Sequence, residues 1–379
     1  MTRTTASELK IVELSDIHLG HQNTPTVSIL KGLYRLLRET PENTETDLLI
    51  LAGDVFDREL TFPDNDLVAI RKWIADVLIF CKKHDIVLRV LEGTPSHDWK
   101  QSFEFEHTNE QAGIGADVRH VKMLGIERIE KLNIDVLYVP DEWRADNGQT
   151  WLEVQELLVQ KNLTKVDFAV MHGTFPHQIP EEASKWMHFH SPDNYLSIVK
   201  HHIFIGHIHQ YSQFDRILSA GSFDRLTHGD ESPKGSIHYR LKSDGTYDIR
   251  FVVNKEATVY KTIDLRETII EECLDKVVET VADDYPHGSK FRLWIERSDG
   301  LSHLMTALKR LYPQHSWTTK VMSLQSQRQD SGFVLAQRVT MQPLTPETLL
   351  TAVSERLKSE YPEKSDLCIE LLKKLIRSS

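Results

Sequence analysis

Between residues 10 and 209, five short apolar runs each give way at once to a cluster of Asp, His and Gly, and no other feature of the chain restricts its fold so tightly. Residues 10–14 lead into Ser15-Asp16-Ile17-His18, residues 48–52 into Gly53-Asp54, and residues 86–91 into the stretch from Gly93 to Asp98. Residues 166–171 lead into His172-Gly173, and residues 202–205 into Gly206-His207-Ile208-His209. The runs are rich in Val, Ile and Leu, as strands covered on both faces tend to be. Segments with helical spacing lie between them: Leu30, Leu33, Tyr34 and Leu37, then Ile70, Trp73, Ile74 and Val77. Thr150 and Glu153 read as a capping box ahead of Val154, Leu157 and Leu158. Strands alternating with helices predict an α/β core, whose ligands gather beyond the carboxyl ends of the strands. Every polar cluster falls at that place.

Residues 236–241 and 247–253 flank Ser243-Asp244-Gly245, a hairpin signature that predicts a mixed or second sheet. After Thr258 the pattern changes. Strands at 262–265, 291–296 and 317–323 with helices at 269–281 and 301–311 predict a small separate α/β unit, and residues 325–332 read as a polar linker. Thr345-Pro346 opens a helix with Leu349, Val353 and Leu357 on one face. Pro362 interrupts it, and Leu367, Leu371, Leu372 and Leu375 form a second apolar stripe, so these helices either dock on their own core or bind a partner. The expected domains are residues 1–257, 258–340 and 341–379.

Cys81, Cys273 and Cys368 are too few and too scattered for a disulfide framework or a thiolate site, so any metal is held by nitrogen and oxygen. A net charge of −11 argues against holding nucleic acid through an overall basic field. It leaves open chemistry on a polyanion, because bound cations neutralise local carboxylates and a partner can supply basic surface. No apolar run approaches the roughly eighteen residues of a membrane span, and residues 1–10 lack the apolar centre of a secretory signal. The expectation is a cytoplasmic chain with no membrane contact.

The clusters carry the chemistry. Asp16 and His18 share a strand face and offer two kinds of ligand to one cation. Asp54 stands after a glycine turn, where its two carboxylate oxygens can bridge two cations, which an imidazole cannot do. Asp57 is read as a supporting or structural carboxylate. His207 and His209 can reach neighbouring cations, and His172 stands at the same edge, whereas His201 and His202 are expected to meet solvent or a structural partner. Two cations about 3.5–4 Å apart would polarise a phosphoryl group, lower the pKa of a bound water and stabilise both sides of an in-line displacement. His97 is the candidate to hydrogen-bond the phosphate or protonate the departing oxygen, with Asp98 orienting its ring. Lys234, Arg216, Arg225 and His228 are candidate contacts to a polyanion backbone, with solvated surface charge as the competing reading.

The order of these clusters resembles the calcineurin-like metallophosphoesterase superfamily. The resemblance implies a two-sheet sandwich flanked by helices. It implies one metal on Asp16, His18, Asp54 and His209, and a second on Asp54, the residue before His97, His172 and His207. Ser15-Asp16-Ile17-His18-Leu19-Gly20, Gly53-Asp54-Val55-Phe56-Asp57 and Ala220-Gly221-Ser222-Phe223 are similar to the SbcD-type double-strand-break repair nucleases. Ser222-Phe223-Asp224-Arg225-Leu226 and Pro233-Lys234-Gly235 are similar to bacteriophage versions, which would place the chain in the host cytoplasm. That likeness implies manganese, with magnesium as the alternative, DNA as substrate, and an SMC-like ATPase subunit of the SbcC type as partner. It also implies a small α/β capping domain and C-terminal helices following the sandwich, exonuclease action on duplex ends and endonuclease action on single strands, and leaves room for a homodimer. The family pattern Gly-Asn-His-Asp is broken here: the chain reads Gly93-Thr94-Pro95-Ser96-His97-Asp98, so aligning on His97 puts Ser96 at the position of the metal-binding Asn. A hydroxyl is a poorer ligand than an amide oxygen. Two rival readings therefore stand beside the nuclease: a stand-alone phosphodiesterase or phosphatase for small nucleotides or phosphoproteins, and a binding subunit with weakened catalysis.

Overall fold

Residues 8–39, 44–62, 64–180, 189–281, 285–296 and 300–321 are described by the computed structural model. Strand β1 (Leu9–Leu14) alternates, so that Val12 and Leu14 join one core and Ile11 another on the opposite face. It pairs in parallel with β2 (Leu48–Ala52), which is followed in parallel by β3 (Val87–Leu91) and β4 (Val118–Val121). On its other side β1 runs antiparallel to β11 (Gly235–Leu241), which pairs with β12 (Tyr247–Val253). The second sheet has the order β5 (Gly125–Ile129), β6 (Ile134–Val139), β7 (Phe168–His172), β8 (Ile203–Gly206), β10 (Ile217–Ser219) and β9 (Ser212–Phe214).

The two sheets face each other through Ile11, Ile50, Val136, Val170, Phe204 and Ile237. Helices α1 (Thr26–Tyr34) and α2 (Asp66–His84) cover the outer face of the first sheet with Ile29, Leu33, Trp73 and Leu78. A single turn, α3 (Pro95–Asp98), follows β3, and α4 (Glu104–Gln111) sets Phe105 edge-on to Trp73 at 5.8 Å between ring centres. Helices α5 (Asn147–Gln160) and α6 (Pro192–Ile198) cover the second sheet with Val154, Leu158, Tyr195 and Ile198. The fold is thus a two-sheet sandwich flanked by helices. Because the central strands are covered on both faces, their sequences read as nearly unbroken apolar runs. Each fully buried large side chain stabilises the sandwich by about 1.5–3 kcal/mol relative to exposure.

One expectation is corrected here. Helix α5 begins at Asn147, with Asp146 as its cap accepting from the Gly148 amide at 2.8 Å, so Thr150 lies inside the helix and caps nothing. Glu153 instead accepts a hydrogen bond from Trp143 Nε1 at 2.8 Å. Leu37 falls in a π-helical turn, Arg35–Glu39, that extends α1.

A third sheet follows, with parallel strands β13 (Tyr260–Asp264), β14 (Lys290–Ile295) and β15 (Ser316–Val321). With α7 (Ile270–Val281) and α8 (Leu301–Leu311) it encloses its own core of Val277, Phe291, Leu293 and Leu308. It abuts the sandwich beside the loop after β1: Tyr260 Oη lies 3.0 Å from Thr24 Oγ1, and Lys290 Nζ donates to the Asn23 carbonyl. Contacts divide the chain into Met1–Leu324 and Gln325–Ser379. The expected linker and the helices from Thr345 onward lie outside the described residues. Among the described residues no helix is long and apolar enough to cross a membrane.

Candidate metal centre

Three loops from the first sheet and three from the second converge at one edge of the sandwich. Asp16 and His18 leave β1 with φ of 48° and 55°, Asp54 leaves β2 with 50°, and His207 follows β8 with 103°. Side-chain-bearing residues avoid this left-handed region, at about 1–3 kcal/mol each. Neighbouring backbone bonds hold it in place. The Asp16 amide donates to Gly53 O at 3.1 Å, His18 to Asp54 O at 3.0 Å, Leu19 to Val55 O at 2.9 Å, and Asp57 back to Leu19 O at 3.0 Å. Asp16 accepts the His207 amide on both carboxylate oxygens, each at 3.0 Å, which ties the first sheet to the second.

Glycine is required where the sheets touch. A Cβ on Gly53, whose φ is 86°, would stand 2.2 Å from His172 Nδ1, and one on Gly206 would stand 2.3 Å from the Ala52 carbonyl oxygen. The approach lets His172 Nδ1 donate to Ala52 O at 2.7 Å, which turns Nε2 toward Asp54 Oδ1 at 3.4 Å.

Three sets of donors lie close enough to hold a cation: Asp16, His18 and His209; His18, Asp54 and His97; and Asp54, His172 and His207. The residues fit divalent metal on two observations. His18 Nδ1 is held by Asp57 Oδ1 at 3.1 Å, which directs its Nε2 to within 3.1 Å of His209 Nε2. A carboxylate behind a ligating imidazole is the usual device for fixing its tautomer and raising its basicity. On the other side, His172 Nε2 is fully buried and has no hydrogen-bond partner among the described residues. Burial works against an imidazolium at His172, yet Asp54, with Asp16 and Asp141, outweighs it and raises the pKa well above the usual value. The carboxylates therefore call for positive charge at that nitrogen, which a proton or a metal ion supplies in competition.

The structure brings Asp16, His18, Asp54, His172, His207 and His209 together, and His97 with them. It does not bring in Ser96. That residue is exposed, and its carbonyl accepts from Trp99 Nε1 at 2.7 Å. Thr94 takes the inward place: its amide donates to Asp54 Oδ1 at 2.6 Å, and its hydroxyl lies 3.2 Å from Asp54 Oδ2 and 3.4 Å from His207 Nδ1. The reason is the spacing. Pro95 starts a helical turn directly after Thr94, so the residue next to Gly93 faces the site while Ser96 turns outward.

His97 Nδ1 lies 2.7 Å from Asp54 Oδ2. Partial burial disfavours its charged form, but the Asp54 hydrogen bond and charge win and raise its pKa. Asp98 does not orient this ring. Its buried carboxylate accepts the amides of Asp54 (3.1 Å), Phe56 (2.9 Å) and Gly93 (2.7 Å), clamping the two loops that carry the site. Burial and the adjacent Asp54 push Asp98 up to about 8, against the three amides that favour its charged form.

Asp141 was missed. Its carboxylate accepts from Thr94 Oγ1 at 3.1 Å and lies 3.6 Å from His207 Nδ1. The signal was available: strand Ile134–Val139 runs into Pro140-Asp141, the same apolar run followed by a ligating residue.

The four proposed backbone contacts face inward or carry bonds to the protein itself. Lys234 is 1% exposed and bonds His209 O at 2.6 Å and Asp230. Arg216 holds the carbonyls of Leu196, Val199 and Lys200 at the end of α6, and Arg225 those of Ser232 and Thr258. His228 packs on Tyr260 at 4.9 Å between ring centres. Of the two histidines set aside, His202 is buried with Nδ1 3.1 Å from Tyr239 Oη, a structural partner.

The family described as calcineurin-like phosphoesterase matches residues 9–211. Curated protein sequences yield no match. Two crystal structures are similar over 65% of this chain and 99% of theirs. One is of TT1561 of Thermus thermophilus, at 9% identity and a TM-score of 0.39, and the other stands at 12% and 0.40.

Proposed function

Because the chain belongs to the calcineurin-like phosphoesterase family, and so to a group of metal-dependent phosphoester hydrolases, we propose that it hydrolyses DNA phosphodiester bonds with two manganese ions. Asp16, His18, Asp54 and His209 would hold one ion, and Asp54, His172 and His207 the other. Bound there, the ions would supply an activated water and electrostatic stabilisation of the phosphoryl group. His97, hydrogen-bonded to Asp54 and partly exposed, stands where it can donate a proton or a hydrogen bond to the substrate. The carboxylates suit manganese or magnesium, and the imidazoles suit manganese's transition-metal neighbours as well.

The observation that supports a polymeric substrate is the third sheet beside the site. Lys290 on β14 bonds the loop carrying His21 and Asn23, and its charge acts on His21 together with that of His18 and His97. A further sheet with a lysine at the rim of the site suits a long polyanion better than a mononucleotide. The terminal helices expected beyond residue 341 are the proposed docking segment for an SMC-like ATPase.

The test is a manganese-supplemented assay on labelled duplex and single-stranded DNA. Cleavage of both, lost by chelation and in an Asp54→Ala protein, is the expected result. Rapid hydrolysis of small nucleotide phosphodiesters with intact DNA would move the function to a stand-alone phosphodiesterase. Folded protein that binds no divalent cation would move it to a binding subunit.

A further inference from the structure

We infer that Asp141 is a protein ligand of the second cation, supplying a charged oxygen where the family pattern supplies a neutral amide. The inference rests on the two-cation reading of the site and deepens it.

Four observations converge on one small volume. Asp141 follows β6 with a side chain only 10% exposed, and its Oδ2 lies 3.6 Å from His207 Nδ1. Thr94 Oγ1 sits between two carboxylates, 3.1 Å from Asp141 and 3.2 Å from Asp54. One hydroxyl proton cannot serve both acceptors at once, and Asp54 Oδ2 already has His97 Nδ1 at 2.7 Å, so the Thr94 hydroxyl is free to hold Asp141 in place. His172 Nε2, fully buried and without a hydrogen-bond partner among the described residues, points to the same place from the second sheet. Asp54, Asp141, His172 and His207 thus offer two carboxylates and two imidazoles around one centre.

The consequence is chemical. Thr94 is a weak ligand, and in this reading it is instead the hydrogen-bond donor that aims Asp141. Substituting a carboxylate for an amide adds one negative charge to the second position, which strengthens its hold on a divalent cation such as manganese or magnesium. The Thr94 departure then leaves a complete site, with the oxygen ligand moved from the loop after β3 to the loop after β6.

The test is manganese titration of the full-length protein by calorimetry, with free ion followed by electron paramagnetic resonance and no DNA present. The parent is expected to take up two ions. Asp141→Asn keeps the size and an acceptor for Thr94, and is expected to weaken one of the two by about tenfold to a hundredfold. The other ion should stay within about twofold, with the melting temperature in chelator unchanged. Asp141→Ala should weaken the same ion at least as much. Unchanged affinity for both ions in Asp141→Ala would overturn the inference, as would equal weakening of both with a lower melting temperature in chelator, which marks a structural carboxylate. A parent that takes up no more than one ion would overturn the two-cation reading and this inference with it. Failure of the DNA assay alone would touch neither.

Discussion

The two candidate cation positions differ in how they are sheltered and in how they are encoded. One is framed by Asp16, His18 and His209, with the His209 side chain 37% exposed at the mouth of the site. The other is framed by Asp54, His172 and His207, with His172 completely buried against the Ala52 carbonyl. The open position is served by residues two apart at single strand ends. The closed one takes its shape from Gly53, Gly206, Thr94 and Asp141, none of which announces a ligand by itself. Sheltering a position costs the chain more supporting structure, and that support is spread through the sequence.

The strongest way to break this comparison is to remove one imidazole from each side. His172→Ala and His209→Ala are each expected to lower phosphodiester hydrolysis by roughly a thousandfold, the several kcal/mol that a cation contributes. They should part in stability, since His172→Ala also strips a buried carbonyl of its donor, at about 1–3 kcal/mol. His209→Ala should melt like the parent in chelator. Equal destabilisation by both would remove the distinction between open and closed.

A second effect tests the frame they share. Asp98→Ala leaves three buried amides without an acceptor, and urea unfolding should show a loss of about 3 kcal/mol. A loss under about 1 kcal/mol would show that water replaces the carboxylate and that Asp98 clamps nothing.

The smallest effect sharpens the closed side alone. Burial pushes His190, beside Asp141, down to about 4, against the pull of that carboxylate. An unfolded histidine titrates near 6.5, so below that pH the unfolded chain takes up a proton that the folded one refuses until about pH 4. Stability present above pH 6.5 is therefore lost on acidification, by about 1.5 kcal/mol between pH 6.5 and 5. His190→Gln should flatten the pH dependence of denaturant unfolding in chelator by that amount. An unchanged slope would refute the shift.

The ligands were legible because each apolar strand gives way at its end to an Asp or His, a change of residue type that marks the sequence. Asp16, His18, Asp54, His172, His207 and His209 all follow that rule. Ser96 misled because a residue was matched by its distance from His97, whereas the Pro95 turn makes Thr94 the residue that faces Asp54. Asp98 sits next to His97 in sequence, yet successive residues of a helical turn point apart, and its carboxylate reaches backbone instead of the ring. The hairpin of β5 and β6 escaped notice because Glu130-Lys131-Leu132-Asn133 joins it without Gly or Pro. Asp141 follows the second strand of that hairpin, where the apolar run before Pro140 carries the same signal as the other ligands. Lys234 and Arg216 read as surface charge because nothing in a sequence says which carbonyl a long side chain will find.

The donors for each cation come from both layers of the sandwich, and that has a mechanical side. Any ion lodged between them is also a fastener across the seam, so its binding free energy adds to the cohesion of the layers at that edge. Withdrawing it would loosen the rim before the strands behind it, making the place where chemistry happens the first to open.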